Sequence, residues 1–228
     1  MSFLCALSVL CGEKDRFFAV LIYHKAGSGG IVMADQFDPD LRDVIQFHGH
    51  LCPGLALGYR VAKAALRELK ADRPHDEELV AVVENDSCAV DAIQFVTGCT
   101  FGKGNLIFRD YGKHVYTFFN RTTGKGVRIS EDYRVFEDDN RYPALRKRQD
   151  AGEEVSRELE ELKMEKTAAI LQADDKMFLT IESVTTPPPT QARIRNSVRC
   201  AICGERFMES RARVAGGKIV CISCFERE

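Results

Sequence analysis

His48, His50 and Cys52 alternate with Gly49 and Leu51 in the stretch His48-Gly-His-Leu-Cys-Pro-Gly54, three metal-ligating side chains inside five residues. On an extended backbone, side chains two apart point the same way, so the three would present one chelating face. Pro53 carries a preset φ suited to the first position of a helix, and Leu55, Tyr59, Ala62 and Leu66 follow at helical spacing. Cys52 is therefore expected at a helix N-cap. There the positive end of the dipole stabilises a thiolate, the form that binds metal and acts as nucleophile.

A second group follows. Cys88 opens an apolar helical run after the turn-and-cap cluster Asn85-Asp86-Ser87, with Asp91 three residues on and Cys99 just past the Gly98 that stops the run. A single His is usually a hydrogen-bonded structural residue, and a single Cys a small buried hydrophobe. The combination differs, because two imidazoles, three thiols and a carboxylate make a soft donor set suited to Zn²⁺, Ni²⁺, Cu⁺ or iron and poorly suited to Mg²⁺ or Ca²⁺. His48, His50, Cys52, Cys88 and Cys99 are thus the candidate ligands of a metal in a cleft, with Asp91 placed to orient an imidazole. A catalytic reading uses the same residues, with Cys52 as nucleophile or redox thiol and His48 or His50 as the acid–base group.

Cys200-Ala-Ile-Cys203 and Cys221-Ile-Ser-Cys224, separated by seventeen residues, have the spacing of a four-thiolate zinc site. Four thiolates leave no open position, so this zinc is expected to be structural. The short module around it has too little core to fold without metal. Gly204 and Gly216-Gly217 suit the turns of a zinc ribbon or treble clef. Arg193, Arg195, Arg199, Arg206, Arg211, Arg213 and Lys218 make the module basic, but it lacks the interleaved aromatics of single-strand binders and would equally dock protein.

These sites need a scaffold, and 228 residues with 45% hydrophobic content and a net charge of −2 suffice for one moderate domain with an appendage. Such a balanced charge gives no general affinity for nucleic acid or membranes. Four of the nine Cys lie in two Cys-x-x-Cys pairs, a pattern of thiolates on metal in a reducing, cytoplasmic compartment. Apolar runs at 3–10 and 17–22 are too short to span a bilayer. Residues 1–32 read as an extension of doubtful authenticity, with the organised chain starting near Met33 and no role for Cys5, Cys11 or His24.

Residues 33–184 read as an α+β core with an antiparallel or mixed sheet and packed helices. Its expected helices cover 40–47, 53–70, 88–96 and a charged amphipathic 153–171 with Val155, Leu159, Leu162, Ala169 and Ile170 as apolar members. A β-branched run at 79–84 predicts a buried strand, and strands at 105–110, 114–121, 127–129 and 178–184 complete the sheet. Gly102-Lys103-Gly104 lacks the spacing of a phosphate loop. The proline run in 185–197 predicts an extended linker, followed by the four-cysteine module at 198–228.

Phe47-His-Gly-His-Leu-Cys-Pro-Gly54, Glu84-Asn-Asp-Ser-Cys-Ala-Val-Asp-Ala92 and Thr97-Gly-Cys-Thr-Phe-Gly-Lys-Gly104, followed by the paired Cys knuckles, resemble the FmdE family, named for formylmethanofuran dehydrogenase, over about residues 37–226. The resemblance implies an α+β domain with a His/Cys-lined cleft, a C-terminal zinc finger, and homodimers in which one protomer's finger can pack on the other. Positions matching the family's cleft are His48, His50, Cys52, Cys88, Asp91 and Cys99. The family name links such chains to a tungsten or molybdenum enzyme whose chemistry resides in other polypeptides, so stand-alone members resemble accessory or regulatory proteins. Three functions therefore stand side by side: a metal-binding accessory protein of molybdenum or tungsten enzyme metabolism, a metal- or thiol-dependent enzyme, and a zinc-finger docking module.

Overall fold

The computed structural model describes residues 38–137 and 140–227, with two short strands upstream. Those strands, β1 (Ile22–His24) and β2 (Gly30–Val32), pair as an antiparallel hairpin. Cys5, Cys11 and the expected start near Met33 lie outside the described residues.

Asp38 caps α1 (Pro39–His48) by accepting from the Asp40 N–H, and Leu41, Val44 and Ile45 form its buried stripe. α2 (Pro53–Leu69) starts on Cys52 with Pro53 in its first turn, and ten of its seventeen residues are buried. All five residues of β3 (Leu79–Val83) are buried. α3 (Ala89–Thr97) ends on Gly98, whose φ of 67° is the left-handed stop anticipated for glycine. β4 (Leu106–Phe108), β5 (Val115–Asn120) and β6 (Lys125–Glu131) follow, then a 3₁₀ turn at Tyr133–Phe136, α4 (Arg141–Asp150), α5 (Ser156–Gln172) and β7 (Leu179–Val184).

The five strands form one sheet in the order β4-β3-β5-β6-β7, antiparallel except between β3 and β4. An all-antiparallel pairing of the middle strands would miss that exception. It arises because α3 carries the chain over from β3 to β4, and a strand–helix–strand crossover returns the chain in the same direction. Helices cover one face, where Leu55, Val61, Val83, Tyr116, Phe118, Ile129 and Ile170 make the main core. The other face has a smaller cluster of Val80, Val82 and Phe119.

Two contacts fix α2. A Cβ on Gly58 would lie 2.2 Å from the Ala89 carbonyl oxygen and one on Gly54 would lie 3.2 Å from the Cys88 Cβ, so only glycines let the start of α2 approach the start of α3 this closely. At the far side, the Arg60 guanidinium donates to the carbonyls of Ile170, Leu171 and Ala173 and pairs with Asp175, closing the C-terminus of α5.

The chain after β7 is tied to the core, unlike a free spacer. Arg121 donates to the carbonyls of Pro189 and Thr190, and the Ala192 N–H donates to Glu77 at 3.2 Å, beside the first residues of β3. The C-terminal module then forms two hairpins, β8 (Ser197–Arg199) with β9 (Arg206–Met208) and β10 (Arg213–Ala215) with β11 (Lys218–Val220), before the one-turn α6 (Ile222–Phe225). Its core is Cys200, Val220, Cys221 and Cys224.

Candidate metal centre

His48 is the last residue of α1, and Gly49, at φ 96°, turns the chain sharply out of the helix. His50 and Cys52 follow on the way into α2, so one ligand atom from each of His48, His50 and Cys52 lies within 4.8 Å of the others. The extended stretch expected from the alternation is absent: convergence comes from a helix end and a left-handed glycine. The two imidazole rings lie 4.6 Å apart, centroid to centroid.

His48 is held from one side only. Its Nδ1 lies 2.7 Å from Asp91 Oδ2, whereas Nε2 is buried without a hydrogen-bond partner among the described residues. In the tautomer that shares its Nδ1 proton with the carboxylate, Nε2 keeps a lone pair with no partner among the described residues. A buried acceptor left unpaired is costly, and a carboxylate behind an imidazole is the arrangement that orients a metal-ligating His. The donor set of two nitrogens and a sulfur fits a transition metal on that count.

Cys52 Sγ accepts from the Leu55 N–H at 3.4 Å. Burial nevertheless pushes its thiol up, and the Cys88 thiol beside it adds to the rise, outweighing the Leu55 and Gly54 N–H groups. Desolvation thus opposes the helix start at Cys52. Cys88 begins α3 and meets Cys52 across the Gly54 contact. The structure thus brings His48, His50, Cys52, Cys88 and Asp91 to one place.

Cys99 is elsewhere. It lies fully buried past the other end of α3, whose length is about 14 Å at 1.5 Å per residue. Its neighbours there include Thr97 and Ala81, and burial pushes its thiol up. Cys99 therefore does not join the cleft set.

Other polar residues at this end of the sheet make contacts that the sequence did not reveal. Asn85 donates to the Lys113 carbonyl (2.7 Å) and to Tyr116 Oη (3.1 Å) while accepting from Ser87, which ties β3, β5 and the turn before Cys88 together. Glu131 Oε1 lies 2.8 Å from His114 Nδ1 with the Glu131 side chain 1% exposed, and its Oε2 has no partner among the described residues. Burial pushes this carboxyl up against the opposing pull of His114.

In the C-terminal module, Cys200, Cys203, Cys221 and Cys224 also bring their sulfurs within 4.8 Å of one another. The N–H groups of Ile202 and Cys221 each point at Cys200 Sγ from 3.4 Å. Burial works against the Cys200 thiolate, but these donors and that of Cys203 outweigh it and pull the thiol down to about 6. Four sulfurs this close together, with N–H groups pointing at Cys200, fit a closed zinc site.

The family profile of FmdE, described as the molybdenum formylmethanofuran dehydrogenase operon family, matches residues 47–180, more than half of the chain. The chain belongs to the FmdE family. Residues 193–228 match the prokaryotic dksA/traR C4-type zinc finger. This FmdE-family chain is 32% identical over 189 residues to a protein of Archaeoglobus fulgidus named a probable S-adenosyl-L-methionine-binding protein, a match that takes in 78% of this chain and 50% of the relative. The chain thus spans about half of that relative's length. It also shares its fold with a tungsten formylmethanofuran dehydrogenase FmdE-like protein of Syntrophus aciditrophicus, with a TM-score of 0.52 at 23% identity over 82% of this chain and 91% of that one.

Proposed function

We propose that this FmdE-family chain is a metal-binding accessory protein with two separate sites, one for structural zinc in the finger and one for an exchangeable transition metal at His48, His50 and Cys52. The reading rests above all on His48, whose Asp91-bound imidazole leaves a buried Nε2 with no partner among the described residues. Cys88 adjoins Cys52 but lies outside the group of three donor atoms that share 4.8 Å. A bound Zn²⁺, Ni²⁺ or iron would supply Lewis acidity, or would simply be cargo. Through the family's operon, we connect the protein to molybdenum or tungsten enzyme metabolism, with a homodimer as its working form.

A metal- or thiol-dependent enzyme is the second reading. It is favoured by the fact that three donors alone share the 4.8 Å cluster, so a fourth position can stay open to substrate. Metal analysis of the full chain with Cys52→Ala and Cys221→Ala tests the two-site proposal. Two metals per chain are expected in the parent, one of them lost in each variant; a single metal lost only with Cys221→Ala rejects the cleft site.

A further inference from the structure

The cleft metal site leaves a large neighbouring groove without a role. It measures about 690 Å³ and runs between α4, α5 and the 3₁₀ turn to Pro53, the residue after Cys52. That volume lies inside the range of small-molecule sites.

The groove exists because α4 cannot close it. None of the described side chains of α4 is buried, and the helix is held to its neighbour by surface ion pairs such as Arg141 with Glu165 at 2.7 Å and Arg148 with Glu158 at 3.1 Å. Leu159 and Leu162 of α5, each half-buried, line the groove with the part of their side chains that α4 leaves uncovered. Phe136 and Tyr142 add two rings to the lining.

Charge in the groove is unbalanced at one point. Lys163 pairs with Glu160 at 3.0 Å and Lys166 with Glu137 at 3.7 Å, which accounts for both carboxylates among the described lining residues. Arg146 has only neutral partners among the described residues, Tyr142 Oη at 3.0 Å and Gln149 Oε1 at 2.7 Å, with its guanidinium 5.3 Å above the Tyr142 ring. A planar guanidinium held in place by neutral groups retains its charge for an oxyanion, and the rings and leucines accept an apolar body.

We propose that this groove binds an aromatic organic anion of nucleotide size, its carboxylate or phosphate on Arg146, its ring system against Tyr142, Phe136 and the two leucines, and its far end at Pro53 beside the Cys52 thiol. Cys52 and the imidazoles take no part in holding it, so the proposal stands apart from the metal reading.

Calorimetry on the full chain with adenosine 5′-monophosphate, adenosine and 2-naphthoate tests it. The nucleotide, the naphthoate or both should bind below about 1 mM; whichever binds names the phosphate or the carboxylate as the anion. Adenosine, lacking the anion, should bind at least about tenfold more weakly than its monophosphate if the phosphate is the anchor. Arg146→Gln, an exposed helical substitution that leaves the core untouched, should weaken the anion about tenfold or more, and Leu159→Trp should block it by filling the groove. Arg157→Gln, an exposed substitution on α5 outside the lining, should leave it unchanged, which separates the Arg146 effect from a general loss of surface charge. If neither anion binds, or if Arg146→Gln binds them as tightly as the parent, the proposal is overturned.

Discussion

At the scale of single residues, the metal reading turns on which polar atoms are paired. Asp91 occupies one nitrogen of His48 and nothing among the described residues occupies the other, so the geometry asks for a ligand there. Glu131 is a contrasting case, because burial rather than a missing partner dominates it. Its folded carboxyl is raised above the ordinary value, so its contribution to stability is complete below about pH 4.3 and is lost as pH rises through the raised value. Glu131→Gln removes that titration. The melting temperature of the variant relative to the parent should therefore climb with pH from about 4 toward neutrality, and a pH-independent difference would show that Glu131 titrates normally. His48, His50, Cys52 and Asp91 were legible in the sequence because their spacing is local or helical. His114 and Glu131 were not, since seventeen positions separate them and only the β5–β6 register sets them side by side.

Between elements, the central contact is the start of α2 against the start of α3. Alanine at Gly58 would gain about 1 kcal/mol of helix propensity. A Cβ 2.2 Å from a backbone carbonyl costs more, because neither helix can yield without shifting Cys52 away from Cys88. Gly58→Ala should accordingly destabilise the core by about 2 kcal/mol or more in urea titration; a neutral or stabilising result would mean that the helices are not in such contact. The helices flanking this crossing were readable from apolar periodicity and from Pro53 and Gly98. α4 was not, because Arg141–Asp150 has no apolar stripe to read and is held by ion pairs. The parallel β3–β4 pair was equally invisible, since direction follows from the crossover and strand composition does not encode it.

The whole molecule joins a sheet-and-helix domain with its own core to a module whose buried residues are little more than its cysteines. Removing metal with a chelator should therefore unfold the finger while the domain keeps its cooperative transition, seen as proteolysis confined to the residues after the Arg121-held strap. Loss of the domain at the same chelator concentration would contradict that independence. The two Cys knuckles announced the finger through spacing alone, whereas the strap depends on Arg121 and Glu77, distant residues that no linear pattern connects to it. Two metals in different donor sets are central to the proposed function, and X-ray absorption at the metal edge of the fully loaded chain examines them directly. Sulfur is expected at about 2.3 Å from the metal together with imidazole nitrogen at about 2.0–2.1 Å, and the nitrogen should vanish in Cys52→Ala while the sulfur of the finger persists. Sulfur alone around the metal in the parent chain would contradict the cleft site.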